Sequence, residues 1–205
     1  MIDATFTNDL ASAAPTPGGG GASAYAGALA AALASMVCNL TIGKPAFATV
    51  DAELRESLQE LDSCRQDLLE LIDGDARAFA ALAATWKMPK ETDEQKEARH
   101  LAGQAALTGA CEVPIQIMRI CAKIIQLDAL LADRCTKLAL SDVGASAILA
   151  KGALQAAELN VRINTVLMED ADLTNAYQTE AAELMNASTS QADQIYNAVA
   201  NALCS

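Results

Sequence analysis

The sequence predicts an all-α protein: one domain spanning residues 1–205, built as a multi-helix bundle with long helices. Three observations carry this reading. The chain is 52% hydrophobic but only 3% aromatic, with alanine and leucine dominant, so its core must come from close helix–helix packing. Runs of Val, Ile, Thr and aromatic residues that mark strands are nearly absent. Apolar residues also recur at helical spacing, most clearly as Leu54, Leu58, Leu61, Leu68 and Ile72. A chain of 205 residues suits one domain with a sizeable core. Helices this long leave apolar surface for an oligomer to bury.

Taken in order, residues 2 to 13 read as a short amphipathic helix or arm carrying Ile2, Phe6 and Leu10. Pro15-Thr16-Pro17 and four consecutive glycines, Gly18 to Gly21, follow. A helix of small residues then runs to about residue 42 and ends at Gly43, with Lys44 beyond it. Pro45 starts the next segment. Residues 47 to 86 form the longest periodic stretch, its opposite face lined by Glu53, Arg55, Glu56, Glu60, Arg65 and Asp67. Gly74 interrupts it at a cost of about 1 kcal/mol relative to Ala. Thr92 and Gln95 have the spacing of a capping box, and the next helix is expected over 93–110. Pro114 is expected to begin or kink another, running to about Leu131. Cys135-Thr136-Lys137 reads as a connection and Ser141-Asp142 as an N-cap before a helix to about Met168. Asp170 to Leu173 reads as a turn, with Thr174 opening the last helix.

Composition excludes several classes of function. A net charge of −12 leaves no basic patch to neutralise phosphates, so nucleic acid is not an expected partner. The six cysteines form no C-x-x-C pair, and His100 is the single histidine, so no metal site is expected. Those cysteines fall among apolar residues, and Asp3 and Asp9 stand where a signal peptide carries Lys or Arg. Both point to a reducing cytoplasm. Residues 22 to 42 are long enough to cross a bilayer, but Ala and Gly dominate them and Ser23, Ser35, Asn39 and Thr41 interrupt them, so a buried core helix is expected and no membrane.

The candidate chemistry is sparse. Asp75 lies in an apolar stripe and shares a helix face with Phe79. A carboxylate so placed has a raised pKa, suited to acid–base work; the alternative is a salt bridge with Arg77 or an exposed turn. The Gly run offers free N–H groups to an anion or polar ring, or is simply a linker. Lys44 follows a helix end, where a cation suits the dipole. Asp142 reads as a helix cap. Asn160 and Asn164 share a helix face and bind either a ligand or neighbouring backbone. His100 reads as a surface residue and Trp86 as a core or interface anchor.

These motifs resemble the cyclodeaminase/cyclohydrolase family of folate enzymes. The resemblance rests on Ala14-Pro15-Thr16-Pro17-Gly18-Gly19-Gly20-Gly21 and on Ala34-Ser35-Met36-Val37-Cys38-Asn39-Leu40-Thr41-Ile42-Gly43-Lys44. Asp73-Gly74-Asp75-x-x-Ala78-Phe79, Pro89-Lys90-x-Thr92, Val113-Pro114, Ser141-Asp142 and Asn160-Val161-x-Ile163-Asn164 follow in the same order. It implies Asp75 as the proton acceptor and a homodimer with a cleft at the subunit contact. Asp75 and Lys44 are then the expected catalytic residues. Gly18, Gly19, Gly20, Gly21, Asn39, Asp142, Asn160 and Asn164 are the expected substrate-binding residues. The implied substrate is a tetrahydrofolate derivative, with no separate cofactor. The implied reaction is hydrolysis of 5,10-methenyltetrahydrofolate to 10-formyltetrahydrofolate; the alternatives are formiminotetrahydrofolate cyclodeamination with release of ammonia, and a non-catalytic folate-binding dimer. Family members often carry further basic residues after the lysine at position 44, where this chain has Pro45-Ala46-Phe47. A straight helix from Ala22 to Ile42 spans about 30 Å. Gly18–Gly21 and Lys44 therefore meet one small ring in the same subunit only if that helix bends or breaks.

Overall fold

A computed structural model describes residues 4–204, so Ile2 and Asp3 lie outside the described residues. Six α-helices follow in order: α1 (Thr5–Leu10), α2 (Gly19–Thr41), α3 (Asp51–Trp86), α4 (Asp93–Ala132), α5 (Leu140–Thr165) and α6 (Ala171–Leu203). Short 3-10 turns at Pro45–Phe47 and Lys137–Ala139 complete the regular structure, and no strand occurs among the described residues. Helix α4 lies behind a layer made by α3, α2, α5 and α6, touching all four.

Helix α2 is central because its side chains are small. Ala24, Ala30, Ala31, Ala34, Val37 and Cys38 are fully buried. At Gly27 a Cβ would stand 3.0 Å from both Cys121 Sγ and Leu68 Cδ1, so hydrogen is what lets α2 approach α3 and α4. The length and hydropathy of α2 would suffice to cross a bilayer, yet most of that apolar surface is packed inside the bundle. Leu54, Leu61 and Leu68 of α3 meet it as the heptad-like stripe predicts. Helix α5 runs antiparallel to α2, with Gly19 beside Asn160 and Ala30 accepting from the Ser146 hydroxyl.

Four local expectations are corrected. Residues 93–132 form one continuous helix with Pro114 inside it, not two. A neighbouring side chain replaces the hydrogen bond that proline removes, as described below. Helix α5 starts from Ala139 after the 3-10 turn, so Asp142 lies in its first turn and caps nothing with its side chain; an acid is still favoured there by the helix dipole. Helix α6 starts at Ala171, capped by the Asp170 carboxylate accepting from Leu173 N. Trp86 is 55% exposed, which corrects the core half of its reading alone, and its ring stands edge-on to Phe79 at 5.9 Å. The Thr92–Gln95 capping box forms as expected.

Candidate active site

The four glycines build the N-terminus of α2. Gly18 is the N-cap and supplies no side chain to satisfy the first amides. That role passes to a carboxylate from another helix: Gly21 N–H donates to Asp75 Oδ2 at 3.0 Å. The approach is so close that a Cβ on Gly20 would sit 2.0 Å from Asp75 Oδ1, so only glycine fits. Gly19 and Gly20 amides have no hydrogen-bond partner among the described residues. Asp75 has no ion pair among the described residues; Arg77 does not neutralise it. Burial pushes the Asp75 carboxyl above the ordinary carboxylate range, and the Gly21 N–H offsets part of that rise.

A cavity of about 380 Å³ opens over this carboxylate. Gly18, Gly19, Gly20, Asp75, Phe79, Asn160 and Asn164 line it, with Pro15 and Thr16 from the preceding turn. The volume lies within the range of small-molecule sites. Gly21 sits just behind the wall, fixed by Asp75. Asn160 Nδ2 donates back to Ala156 O at 2.9 Å, while its side chain stands against Gly19.

Asn164 is held by a device that only the fold exposes. Pro114 has no N–H, so the carbonyl four residues earlier, at Ala110, loses its helical donor. Asn164 Nδ2 donates to that carbonyl at 2.7 Å, tying α5 to α4. The proline therefore creates the socket for one wall of the cavity. The sequence reading had Pro114 begin or kink a second helix; counting i−4 carbonyls along one continuous helix was the missing signal.

The remaining candidates lie elsewhere in the subunit. Helix α2 is continuous from Gly19 to Thr41, so Asn39 stands about 30 Å of helix away from Gly19, and Lys44 lies beyond the far end of the helix. Asn39 is exposed on α2, and Lys44 is exposed at the start of the Pro45–Phe47 turn. Asp142, in the first turn of antiparallel α5, is also far from Asn160. The structure thus brings together Asp75, Gly18–Gly20, Asn160 and Asn164, and leaves Lys44, Asn39 and Asp142 at the other end. Trp86 and the exposed His100, hydrogen-bonded to Glu169 at 2.9 Å, lie toward the outer end of α3 and the start of α4. Burial pushes the Cys64 and Cys111 thiols up to about 11 and those of Cys38 and Cys121 up to about 12, so none is a thiolate at neutral pH.

Residues 3–183 match the formiminotransferase-cyclodeaminase family. The chain belongs to that family. Methenyltetrahydrofolate cyclohydrolase of Methylorubrum extorquens is 43% identical over 81% of this chain and 80% of its own length. Formimidoyltransferase-cyclodeaminase of Rattus norvegicus is 33% identical over 83% of this chain, but the match covers 32% of that longer protein. The crystal structure of formiminotetrahydrofolate cyclodeaminase from Thermotoga maritima superposes with a TM-score of 0.81 at 26% identity, covering 99% of this chain and 96% of that one. The relatives' names thus place one-carbon units on folate at the centre of the family's chemistry.

Proposed function

We propose that the protein hydrolyses 5,10-methenyltetrahydrofolate to 10-formyltetrahydrofolate, with Asp75 as the general base. The observation that carries the reading is a half-buried, unpaired carboxylate facing a ligand-sized cavity beside two free backbone amides. The methenyl bridge is a cationic amidinium, which a carboxylate attracts. Asp75 accepts a proton as water adds to the bridge carbon. It returns that proton to N5 as the carbon–N5 bond breaks, and the formyl group stays on N10. The tetrahedral hydroxyl loses its proton to solvent, so cation and water become neutral product and one proton. Gly19 and Gly20 N–H groups suit the developing oxygen or the pterin carbonyl, and Asn160 and Asn164 present amides to the pterin edge.

The cyclohydrolase reading is favoured over cyclodeamination by the 43% identity to the Methylorubrum enzyme. Cyclodeamination is the second reading, supported by the likeness to the Thermotoga enzyme; it passes through the same tetrahedral bridge carbon, with ammonia leaving. Incubation with methenyl- and formimino-tetrahydrofolate, following methenyl absorbance and ammonia, separates them. Accelerated methenyl loss is expected, with kcat reduced at least about a hundredfold in Asp75→Asn. Ammonia release without methenyl hydrolysis would assign the second reading, and an unaffected Asp75→Asn would remove Asp75 as base.

The same reading includes a cytoplasmic homodimer whose site is shared. Outward faces of α2 and α5 lie on one side of the molecule, away from α4, and carry no charge along Leu29, Ala32, Met36 and Leu40 or along Ile148, Gly152, Leu159, Ile163 and Val166. Stacking two such faces about a two-fold axis lying across the helices brings the Asn39–Lys44 end of one copy to the Asp75 end of the other. Lys44 then serves the partner's cavity, where its ammonium steadies the developing oxygen.

A further inference from the structure

The Asp75 cavity does not end at Trp86. A second hollow of about 470 Å³ adjoins it, sharing Leu82, Trp86 and Leu167 as common wall. Its far side is cationic: Lys90, Lys96, Arg99 and His100 converge there. In a chain with 26 acidic residues against 14 Lys and Arg, such a cluster runs against the whole-molecule charge. Two of the four are locally compensated, Lys96 by Asp93 at 2.8 Å and His100 by Glu169 at 2.9 Å. Lys90 and Arg99 have no ion pair among the described residues. Lys44, by contrast, is followed in the sequence by the uncharged Pro45, Ala46 and Phe47.

Spacing fits one extended ligand. Asp75, Phe79, Leu82 and Trp86 follow each other along one face of α3, covering about 16 Å of helix. An aromatic amide laid along that face from a reacting carbon at Asp75 delivers its terminal acid to the hollow, within reach of Lys and Arg side chains. The walls between are Phe79, Leu82 and Trp86, which suit a benzoyl ring, and the end is cationic, which suits carboxylates.

We infer that the hollow lined by Lys90 and Arg99 is the subsite for the glutamyl carboxylates of the substrate, so that these two residues set preference for the length of its acidic tail. This rests on the folate reading above. Trp86 is the single tryptophan of the chain and forms the shared rim, so its fluorescence reports occupancy whether or not turnover occurs. The experiment titrates the full chain with p-aminobenzoylglutamate and its triglutamyl form, in wild type, Lys90→Gln and Arg99→Glu, and measures KM with methenyltetrahydrofolate mono- and triglutamate and with the tail-less methenyltetrahydropteroate. The triglutamyl fragment is expected to bind more tightly than the monoglutamyl one, and to weaken about five- to tenfold in each variant. KM for the glutamylated substrates is expected to rise by a similar factor, with kcat and the tail-less substrate unchanged. Equal fragment affinity in all three proteins, or a KM rise that also affects the tail-less substrate, would overturn the subsite. A charge-dependent Trp86 response in a protein that hydrolyses no methenyltetrahydrofolate would keep the subsite and remove the reaction.

Discussion

Ser146 has one hydroxyl proton and two acceptors within reach, Ala30 O at 2.9 Å and Asp128 Oδ2 at 2.8 Å. One proton cannot serve both, so the consistent arrangement has Ser146 donating to Ala30 O and a protonated Asp128 donating to Ser146. Asp128 is fully buried, its Oδ1 has no partner among the described residues, and burial pushes its carboxyl well above the ordinary range. The folded state holds a proton there that the unfolded chain releases above about pH 4. Stability is therefore full below that pH and falls as pH rises through the folded pKa, at up to about 1.4 kcal/mol per pH unit. Asp128→Asn keeps a donor to Ser146 and removes the titration, so urea unfolding across this range is expected to show a shallower decline than wild type. A parallel decline in both would mean that Asp128 does not carry the proton. Asp75 and Asp128 each stand among apolar residues of a helix. What separates them is a close approach from elsewhere: Gly20 opens a cavity over Asp75, while Ser146 closes the core over Asp128. No local pattern contains that difference.

Elements were legible wherever periodicity and capping agree. Helices α2 and α3 and the Thr92 cap follow from small-residue content, the leucine stripe and a Thr–Gln pair. Pro114, expected to begin or kink a second helix, starts no new one, because propensity considers one helix alone. An interior proline costs about 3 kcal/mol, yet α4 continues because α5 supplies Asn164 to the orphaned Ala110 carbonyl. This coupling has a measurable signature. Asn164→Ala leaves a buried carbonyl without a partner and is expected to destabilise the fold by about 1–3 kcal/mol. Pro114→Ala restores a backbone donor to Ala110 O, so the cost of Asn164→Ala should shrink to a few tenths of a kcal/mol in that background. Chemical denaturation of the four proteins of this cycle gives the coupling directly, and additive losses would dissociate the two residues.

At the scale of the whole molecule, the site legible in sequence divides by the length of one helix. Motif spacing identified residues at both ends of α2, and the length of a straight helix already kept them apart; linear order does not say which groups would meet across a contact between two copies. The uncharged α2/α5 face supports the proposed shared-site dimer: pairing would take its Ala, Leu, Ile and Met side chains out of water. An apolar groove of about 540 Å³ between α5 and α6, walled by Ile148, Leu149, Tyr196 and Leu203, extends this face toward the Asp142 end. If each cavity takes Asp75 from one copy and Lys44 from the other, two inactive variants must complement. Lys44→Ala and Asp75→Asn homodimers each lack one group in both sites. A mixed dimer concentrates both changes in one site and leaves the other intact, so an equimolar mixture after subunit exchange is expected to recover about a quarter of wild-type kcat. Recovery must track the fraction of mixed dimer measured by native mass spectrometry. A fully active Lys44→Ala homodimer, or mixed dimers with no recovered activity, would place the complete site within one subunit and leave the α2/α5 face without a catalytic role.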